Sequence, residues 1–187
     1  MKALIIAAGK GSRSGSLTKD EPKPLVRLLG LSLVERVILT AKEVGIDEFI
    51  IVIGYLGERI KEKLGNGKRY GVKIVYIENT EWERGNGISV LKAKESLKEN
   101  FILSMSDHIF DSRILKKLID YDLKDPILLV VDKREPSPGD TKVLQKKGKI
   151  VRIDKDIEKA NCIGTGIFLC SPKIFSYIEE TAKEGKE

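Results

Sequence analysis

Two short stretches of this chain carry the residue types that handle phosphate. The first begins where the apolar run Lys2-Ala3-Leu4-Ile5-Ile6-Ala7 empties into Ala8-Gly9-Lys10-Gly11-Ser12-Arg13-Ser14-Gly15, and it continues to Asp20-Glu21-Pro22-Lys23-Pro24-Leu25. Glycines let a loop turn with positive φ and bring backbone N–H groups against an anion, while Arg13 and Lys23 add charge. The second stretch is Ser104-Met105-Ser106-Asp107-His108, at the end of another apolar run. A carboxylate facing a phosphate loop repels it unless a divalent cation joins the two. Asp107 therefore reads as a ligand for Mg²⁺ rather than as a helix cap, for which Asp111 is better placed. His108 is the one histidine, and no Ser-His-Asp or Cys-His set can be assembled. Chemistry without a general base fits a phosphate monoester as nucleophile, whose second pKa of about 6 leaves it close to a dianion at neutral pH. Such a reaction needs alignment and charge neutralisation, with His108 shaping the site.

The familiar phosphate loops do not match. No Lys-Ser/Thr pair closes the glycine segment as a Walker loop requires. The third glycine of the dinucleotide fingerprint is replaced by Ser14, and no acid follows the second strand to hold a ribose, which disfavours hydride transfer. What remains, a strand ending in Ala7-Ala8-Gly9-x-Gly11-x-Arg13 followed by Glu21-Pro22-Lys23-Pro24-Leu25, resembles the opening of the nucleoside-triphosphate transferases that activate sugar and polyol phosphates. The resemblance implies a nucleotide site at Ala7, Ala8, Gly9, Gly11, Arg13 and Lys23, with Arg13 and Lys23 catalytic and Asp107 on the metal.

The segment Glu78-Asn79-Thr80-Glu81-Trp82-Glu83-Arg84-Gly85-Asn86-Gly87-Ile88-Ser89 adds Asn79, Asn86 and Gly87 to that site. Family members that take hexose-1-phosphates show a Gly-Thr pair here. Asn86 after Gly85 resembles instead the branch that uses CTP on alcohol phosphates, the inositol-1-phosphate cytidylyltransferases. An amide offers donor and acceptor together and can read a pyrimidine edge. The alternative is an Asn-Gly turn with Asn86 or Ser89 as a cap, and Trp82 reads as packing. In the second half the resemblance implies an acceptor site at Lys155, with Lys142 or Lys149 as alternatives, and at Gly166. There Gly164, Thr165 and Gly166 leave room for a ring.

The implied reaction is transfer of CMP from CTP to a small phosphorylated polyol, inositol-1-phosphate, with release of pyrophosphate. Sugar-1-phosphate transfer from UTP, dTTP or GTP is the second reading, and a non-catalytic nucleotide-sensing subunit is the third. The resemblance also implies a membrane-embedded alcohol phosphotransferase as a fused or separate partner. It further implies a second metal-binding Asp on a strand beyond residue 187, so the chain is expected to be truncated at its carboxyl end.

Chemistry spread over such distant segments needs a scaffold that returns loop ends to one edge. Ser32-Leu33-Val34-Glu35 is a capping box, and Leu33, Val34, Val37, Ile38, Ala41 and Val44 share one helical face up to Gly45. Strands are expected at residues 49–53, 72–77, 101–105 and 127–131, with helices at 87–98 and from Asp111 to Tyr121. This alternation implies right-handed βαβ crossovers and a mostly parallel, three-layer sheet, and the resemblance implies an α/β, three-layer αβα, Rossmann-like (GT-A-like) domain with a mixed, mostly parallel sheet. A hairpin at 141–145 and 149–154, a strand at 163–169 and a last helix opened by Ser171-Pro172 complete the acceptor half. The chain divides into a nucleotide-binding half, 1–131, and an acceptor half, 132–187.

The 187 residues suffice for one domain with a proper core. The net charge of +6 is interspersed with acids and lacks interleaved aromatics, which argues against nucleic acid and suits phosphorylated small molecules. Abundant Lys, Glu and Ile with a single Gln is a high-temperature composition. No run is long enough for a membrane span and no signal peptide is seen, so the expectation is a cytoplasmic segment. Cys162 and Cys170 are expected at opposite ends of one strand, roughly 26 Å apart, too far for a disulfide.

Overall fold

A computed structural model describes residues 1–11 and 21–185. Ten strands and five α-helices are seen among them. They run β1 (Lys2–Ala7), β2 (Arg27–Leu28), β3 (Leu31–Ser32), α1 (Leu33–Glu43), β4 (Glu48–Ile53), α2 (Gly57–Leu64), β5 (Lys73–Glu78) and α3 (Asn86–Lys92). Next come β6 (Phe101–Met105), α4 (Ser112–Ile119), β7 (Ile127–Asp132), β8 (Lys142–Lys146), β9 (Lys149–Asp154), β10 (Cys162–Cys170) and α5 (Ile174–Lys183).

Alternation of side chains along β1 builds both core layers at once. Ala3, Ile5 and Ala7 face one layer while Leu4, Ile6 and Ala8 face the other, and β4 repeats the pattern with Phe49, Ile51 and Ile53 against Ile50 and Val52. On the first face, α1 contributes Val34, Val37, Ile38 and Ala41, α2 contributes Ile60 and Leu64, and α4 contributes Leu115 and Leu118. On the second, Val90 of α3 and Phe175 of α5 close over the sheet, with Phe175 stacked on Phe101 of β6 at 5.8 Å between centroids. Strands buried on both faces must be apolar throughout, which is why these runs do not alternate with polar residues.

The sheet runs in the order β5-β4-β1-β6-β10-β8-β9, with β7 on β10. Strands β5, β4, β1 and β6 are parallel, in the expected crossover pattern. Beyond β6 every pairing is antiparallel. Strand β10 is the hub of this second half: Phe168 pairs with both Leu103 and Leu129, and Ile163 with both Asp132 and Lys142. Strands β6 and β8 thus share one edge of β10 and β7 holds the other. The register of β10 on β7 slips between Gly164 and Phe168, a bulge at the place where β6 ends and β8 has not begun.

Two helix boundaries differ from expectation. The helix placed at residues 87–98 stops at Lys92 and continues as a 3-10 turn, Lys94–Ser96, which delivers Ala93 and Leu97, both about fully buried, to the core. The last helix begins at Ile174 rather than at Pro172, because Ser171 and Pro172 first form a turn whose carbonyls accept from Ile174 and Phe175. Among the described residues no helix is long and apolar enough to cross a membrane.

Candidate active site

Strands β1 and β6 deliver their ends to the same edge, where an open α/β sheet gathers ligands. The Ser106 N–H donates to Ile6 O at 3.2 Å, so the segment carrying Asp107 is laced to the segment that starts the glycine loop. The loop is also braced from its other flank, where the Tyr55 N–H donates to Ala8 O at 2.9 Å. That approach requires glycine at position 54: a Cβ there would lie 2.6 Å from Trp82 Cβ and 2.8 Å from Ala8 O. Trp82 packs on the second core layer and tilts against Tyr55, whose ring also carries the Lys10 ammonium 5.6 Å from its centroid. Trp82 is thus a packing residue, as expected.

Between these braced ends lies a cleft of about 170 Å³ whose walls include Gly9, Gly11, Lys23, Asn86, Ser106 and Asp107. Ile6, Ala7 and Met105 also line it. A larger depression of about 290 Å³ sits at the opposite edge, where the strands begin. It is ringed by Lys2, Asp47, Glu48, Lys98 and Glu99, charges of both signs without the glycine loop, and is not the edge at which α/β sheets bind.

Lys23 opens a 3-10 turn, Lys23–Leu25, after the extended Pro22, and the burial of Pro24 and Leu25 anchors its backbone. Gly11, at φ +68°, lies flat against the lysine stem; a Cβ there would meet Lys23 Cβ at 2.9 Å and Cδ at 3.4 Å. So guided, Lys23 Nζ reaches Asp107 Oδ2 at 2.5 Å, the two side chains being 36% and 19% exposed. The other oxygen, Oδ1, is 2.9 Å from His108 Nδ1. That nitrogen is screened from solvent yet off the line of a hydrogen bond. His108 is confined in turn: a Cβ on Gly166 would come within 2.9 Å of Met105 Cγ and 3.2 Å of His108 Cε1. Burial opposes charge on Asp107, but the close approach of His108 and Lys23 overrides it and holds the carboxyl well below its ordinary range.

The group this chemistry implies is a divalent cation. Asp107 supplies an ionised hard-oxygen ligand, and the ammonium of Lys23 on Oδ2 shows that the position accepts a cation. Among the described residues no group of three or more His, Cys, Asp or Glu could form an all-protein cage. One carboxylate sharing the ion with substrate phosphates is how a small hard cation is commonly held, so the residues fit.

The remaining expected site residues are placed as follows. Asn79 does not face the cleft: it is fully buried, its amide nitrogen donating to Ser89 Oγ at 2.9 Å and its oxygen accepting from the Glu81 N–H. It fixes the turn that presents Asn86, the first residue of α3 and a cleft residue. Ala8 is buried behind the cleft with its carbonyl taken by Tyr55. Gly87 turns its bare Cα toward Ile178 of α5 and is not in the wall. Lys155 is exposed on the loop after β9, its N–H donating to Asp154 Oδ1, and does not line the cleft. Gly166 stands beside the cleft through Met105 and His108. Arg13 lies outside the described residues. Contacts missed by sequence reasoning are Gly54, Tyr55 and Trp82 behind the loop and the Gly166–His108 wedge; none is local in sequence.

Comparison with known proteins supplies the family. A family model described as nucleotidyl transferase matches residues 2–187. Proteins named bifunctional IPC transferase and DIPP synthase are similar: 33% identical in Rubrobacter xylanophilus over 96% of this chain and 41% of that protein. The Aquifex aeolicus relative of the same name is 34% identical over 99% of this chain and 42% of its own. The chain therefore spans about two-fifths of the length of these curated relatives. A solved inositol-1-phosphate CTP transferase from T. maritima superposes with TM-score 0.82 at 32% identity, over 96% of this chain and 74% of that one.

Proposed function

The chain belongs to the nucleotidyl transferase family, and on that premise we propose that it is a Mg²⁺-dependent cytidylyltransferase that transfers CMP from CTP to inositol-1-phosphate. A phosphate oxygen of inositol-1-phosphate forms a bond to the α-phosphorus of CTP as the bond to the bridging oxygen breaks, and pyrophosphate leaves with that oxygen. No proton needs to be removed from the nucleophile, in keeping with a site whose histidine, His108, is boxed in against Asp107 and Gly166.

One observation carries the reading: Lys23 and Asp107 meet at the carboxyl ends of β1 and β6, in a cleft walled by Gly9 and Gly11. The glycine backbone receives the triphosphate, Lys23 neutralises its charge, and Asp107 holds the divalent cation that the family generally uses. When bound, such a cation screens the charge that builds on the phosphates during transfer. Arg13, from its place in the loop sequence, is the second catalytic cation of the proposal. Asn86, on the cleft wall, is the base-reading residue. Lys155 and Gly166 are assigned to the acceptor; Gly166 already adjoins the cleft, and Lys155 must be brought to it by the acceptor's phosphate. The names of the relatives and of the T. maritima structure favour CTP and inositol-1-phosphate over a nucleoside triphosphate and a hexose phosphate.

The CDP-linked product has the chemistry that a membrane-embedded alcohol phosphotransferase consumes. We place such an enzyme, fused or separate, as the partner, and the reaction in the cytoplasm, where CTP is made. The test is a pyrophosphate-release screen of four nucleoside triphosphates against inositol-1-phosphate, phosphocholine and glucose-1-phosphate. The expected result is release with CTP and inositol-1-phosphate. A preference for UTP or dTTP with glucose-1-phosphate would replace this reading with sugar-1-phosphate transfer, and binding without release would replace it with nucleotide sensing.

A further inference from the structure

Each oxygen of Asp107 has a nitrogen of the chain close to it. Oδ2 touches the Lys23 ammonium at 2.5 Å and Oδ1 faces His108 Nδ1 at 2.9 Å. A small divalent cation about 2.1 Å from an oxygen of this carboxylate would stand close to the ammonium on Oδ2, and the two positive charges repel each other. That repulsion falls on whichever neighbour of the carboxylate is freer to move. His108 is wedged against the bare Cα of Gly166 and beside Met105. Lys23 is pinned only at its root, by the Lys23–Leu25 turn and by Gly11 against its Cβ, and its side chain is 36% exposed. A flexible four-carbon stem lets the amine move while the root stays fixed.

We infer that Lys23 is a placeholder cation on Asp107, displaced by the incoming metal–triphosphate, so that the carboxylate exchanges an ammonium for a divalent cation as the nucleotide binds. The inference rests on the nucleotidyl-transfer reading and adds an order of events to it. A metal ion arriving alone must evict the ammonium and leave it without a partner. A metal–triphosphate brings both replacements, a cation for Asp107 and phosphate oxygens for Lys23, in the cleft where Gly9 and Gly11 already stand. Metal and nucleotide therefore bind with positive coupling, each raising the affinity for the other by the same factor. The same ion pair holds the partly buried carboxylate at the cleft wall.

The experiment is Mn²⁺ binding by electron paramagnetic resonance, with and without CTP and corrected for Mn²⁺ held by free CTP. It compares wild type, Lys23→Gln, Lys23→Met, Asp107→Asn and the double variant Lys23→Gln/Asp107→Asn, each checked for folding by circular dichroism. Wild type is expected to bind Mn²⁺ weakly alone and more tightly with CTP. Either Lys23 variant is expected to bind Mn²⁺ alone about tenfold tighter than wild type, the order expected when a competing partly buried ion pair is removed. That gain is lost in the double variant. Lys23 variants with no gain, or wild type that binds Mn²⁺ equally with and without CTP, would overturn the exchange while Asp107-dependent binding of Mn²⁺–CTP still upheld the site. Wild-type binding of Mn²⁺–CTP by Asp107→Asn would overturn the site itself and the exchange with it.

Discussion

Replacing Gly11 by alanine strikes the link between loop and lysine with a single methyl group. Gly11 sits at φ +68°, where a residue with a Cβ is strained by about 1–2 kcal/mol. The new methyl would also stand 2.9 Å from Lys23 Cβ, 3.4 Å from Cδ and 3.6 Å from Cγ. The closest of these is not the loose end of the lysine but its root, fixed by a turn whose next two residues, Pro24 and Leu25, are buried. The root must give by several tenths of an ångström, and the amine that rests 2.5 Å from Asp107 is displaced with it. Strain of this size lowers the melting temperature of a chain of this length by roughly 3–6 °C. Misplacing a catalytic group by about 1 Å costs on the order of 100-fold in rate, so kcat/KM is expected to fall by about 10- to 100-fold. Thermal melts followed by circular dichroism, with pyrophosphate release at saturating Mg²⁺, measure both. Gly9→Ala is the control for stability, since a Cβ there meets nothing within 4 Å and its φ is not left-handed. If Gly11→Ala melts within a degree of wild type and keeps kcat/KM within twofold, the loop does not position Lys23 and the reasoning fails.

Other expectations follow from contacts away from the lysine. Burial opposes the charge of Glu35, yet hydrogen bonds from Ser32 and Tyr70 and the nearby Lys63 bring its pKa from 4.5 down to about 2. A depressed folded pKa contributes stability that is present above 4.5 and is lost as pH falls toward 2. Urea titrations of Glu35→Gln should therefore show a loss of roughly 2–3 kcal/mol at pH 7 that shrinks between those values; a gap independent of pH would contradict the assignment. Gly54→Ala drives a Cβ into Trp82 and Ala8 O, and is expected to destabilise by about 1–3 kcal/mol and weaken CTP binding together, as read by melting and calorimetry. Lys155→Ala should raise KM for inositol-1-phosphate several-fold while KM for CTP and the melting temperature hold; equal changes in both KM values would remove Lys155 from the acceptor.

The parallel half was legible because burial on both faces forces uninterrupted apolar runs: β1 and β6 fall at the expected residues, and the Ser32–Glu35 box starts α1. The antiparallel half was legible as strands but not as pairings, since nothing local in Cys162–Cys170 says that it serves β6, β7 and β8 at once. The sequence, read with the family resemblance, pointed to Gly11, Lys23, Asn86 and Asp107, and all four line one cleft. It could not choose between Asn79 and Asn86, because a buried amide that bonds Ser89 and an open one that faces a ligand have the same side chain. Nor could it see that Gly54 and Gly166 are bare because Trp82 and His108, far along the chain, occupy their Cβ positions.

Pyrophosphate release from CTP and inositol-1-phosphate, compared between wild type and Asp107→Asn over a Mg²⁺ titration, bears most directly on the site. Removing the one carboxylate among the described residues that line the cleft, on Oδ2 of which the Lys23 ammonium rests, is expected to lower kcat/KM by about 10²- to 10³-fold with the melting temperature preserved. An Asp107→Asn protein that turns over at the wild-type rate with the wild-type Mg²⁺ requirement would contradict it.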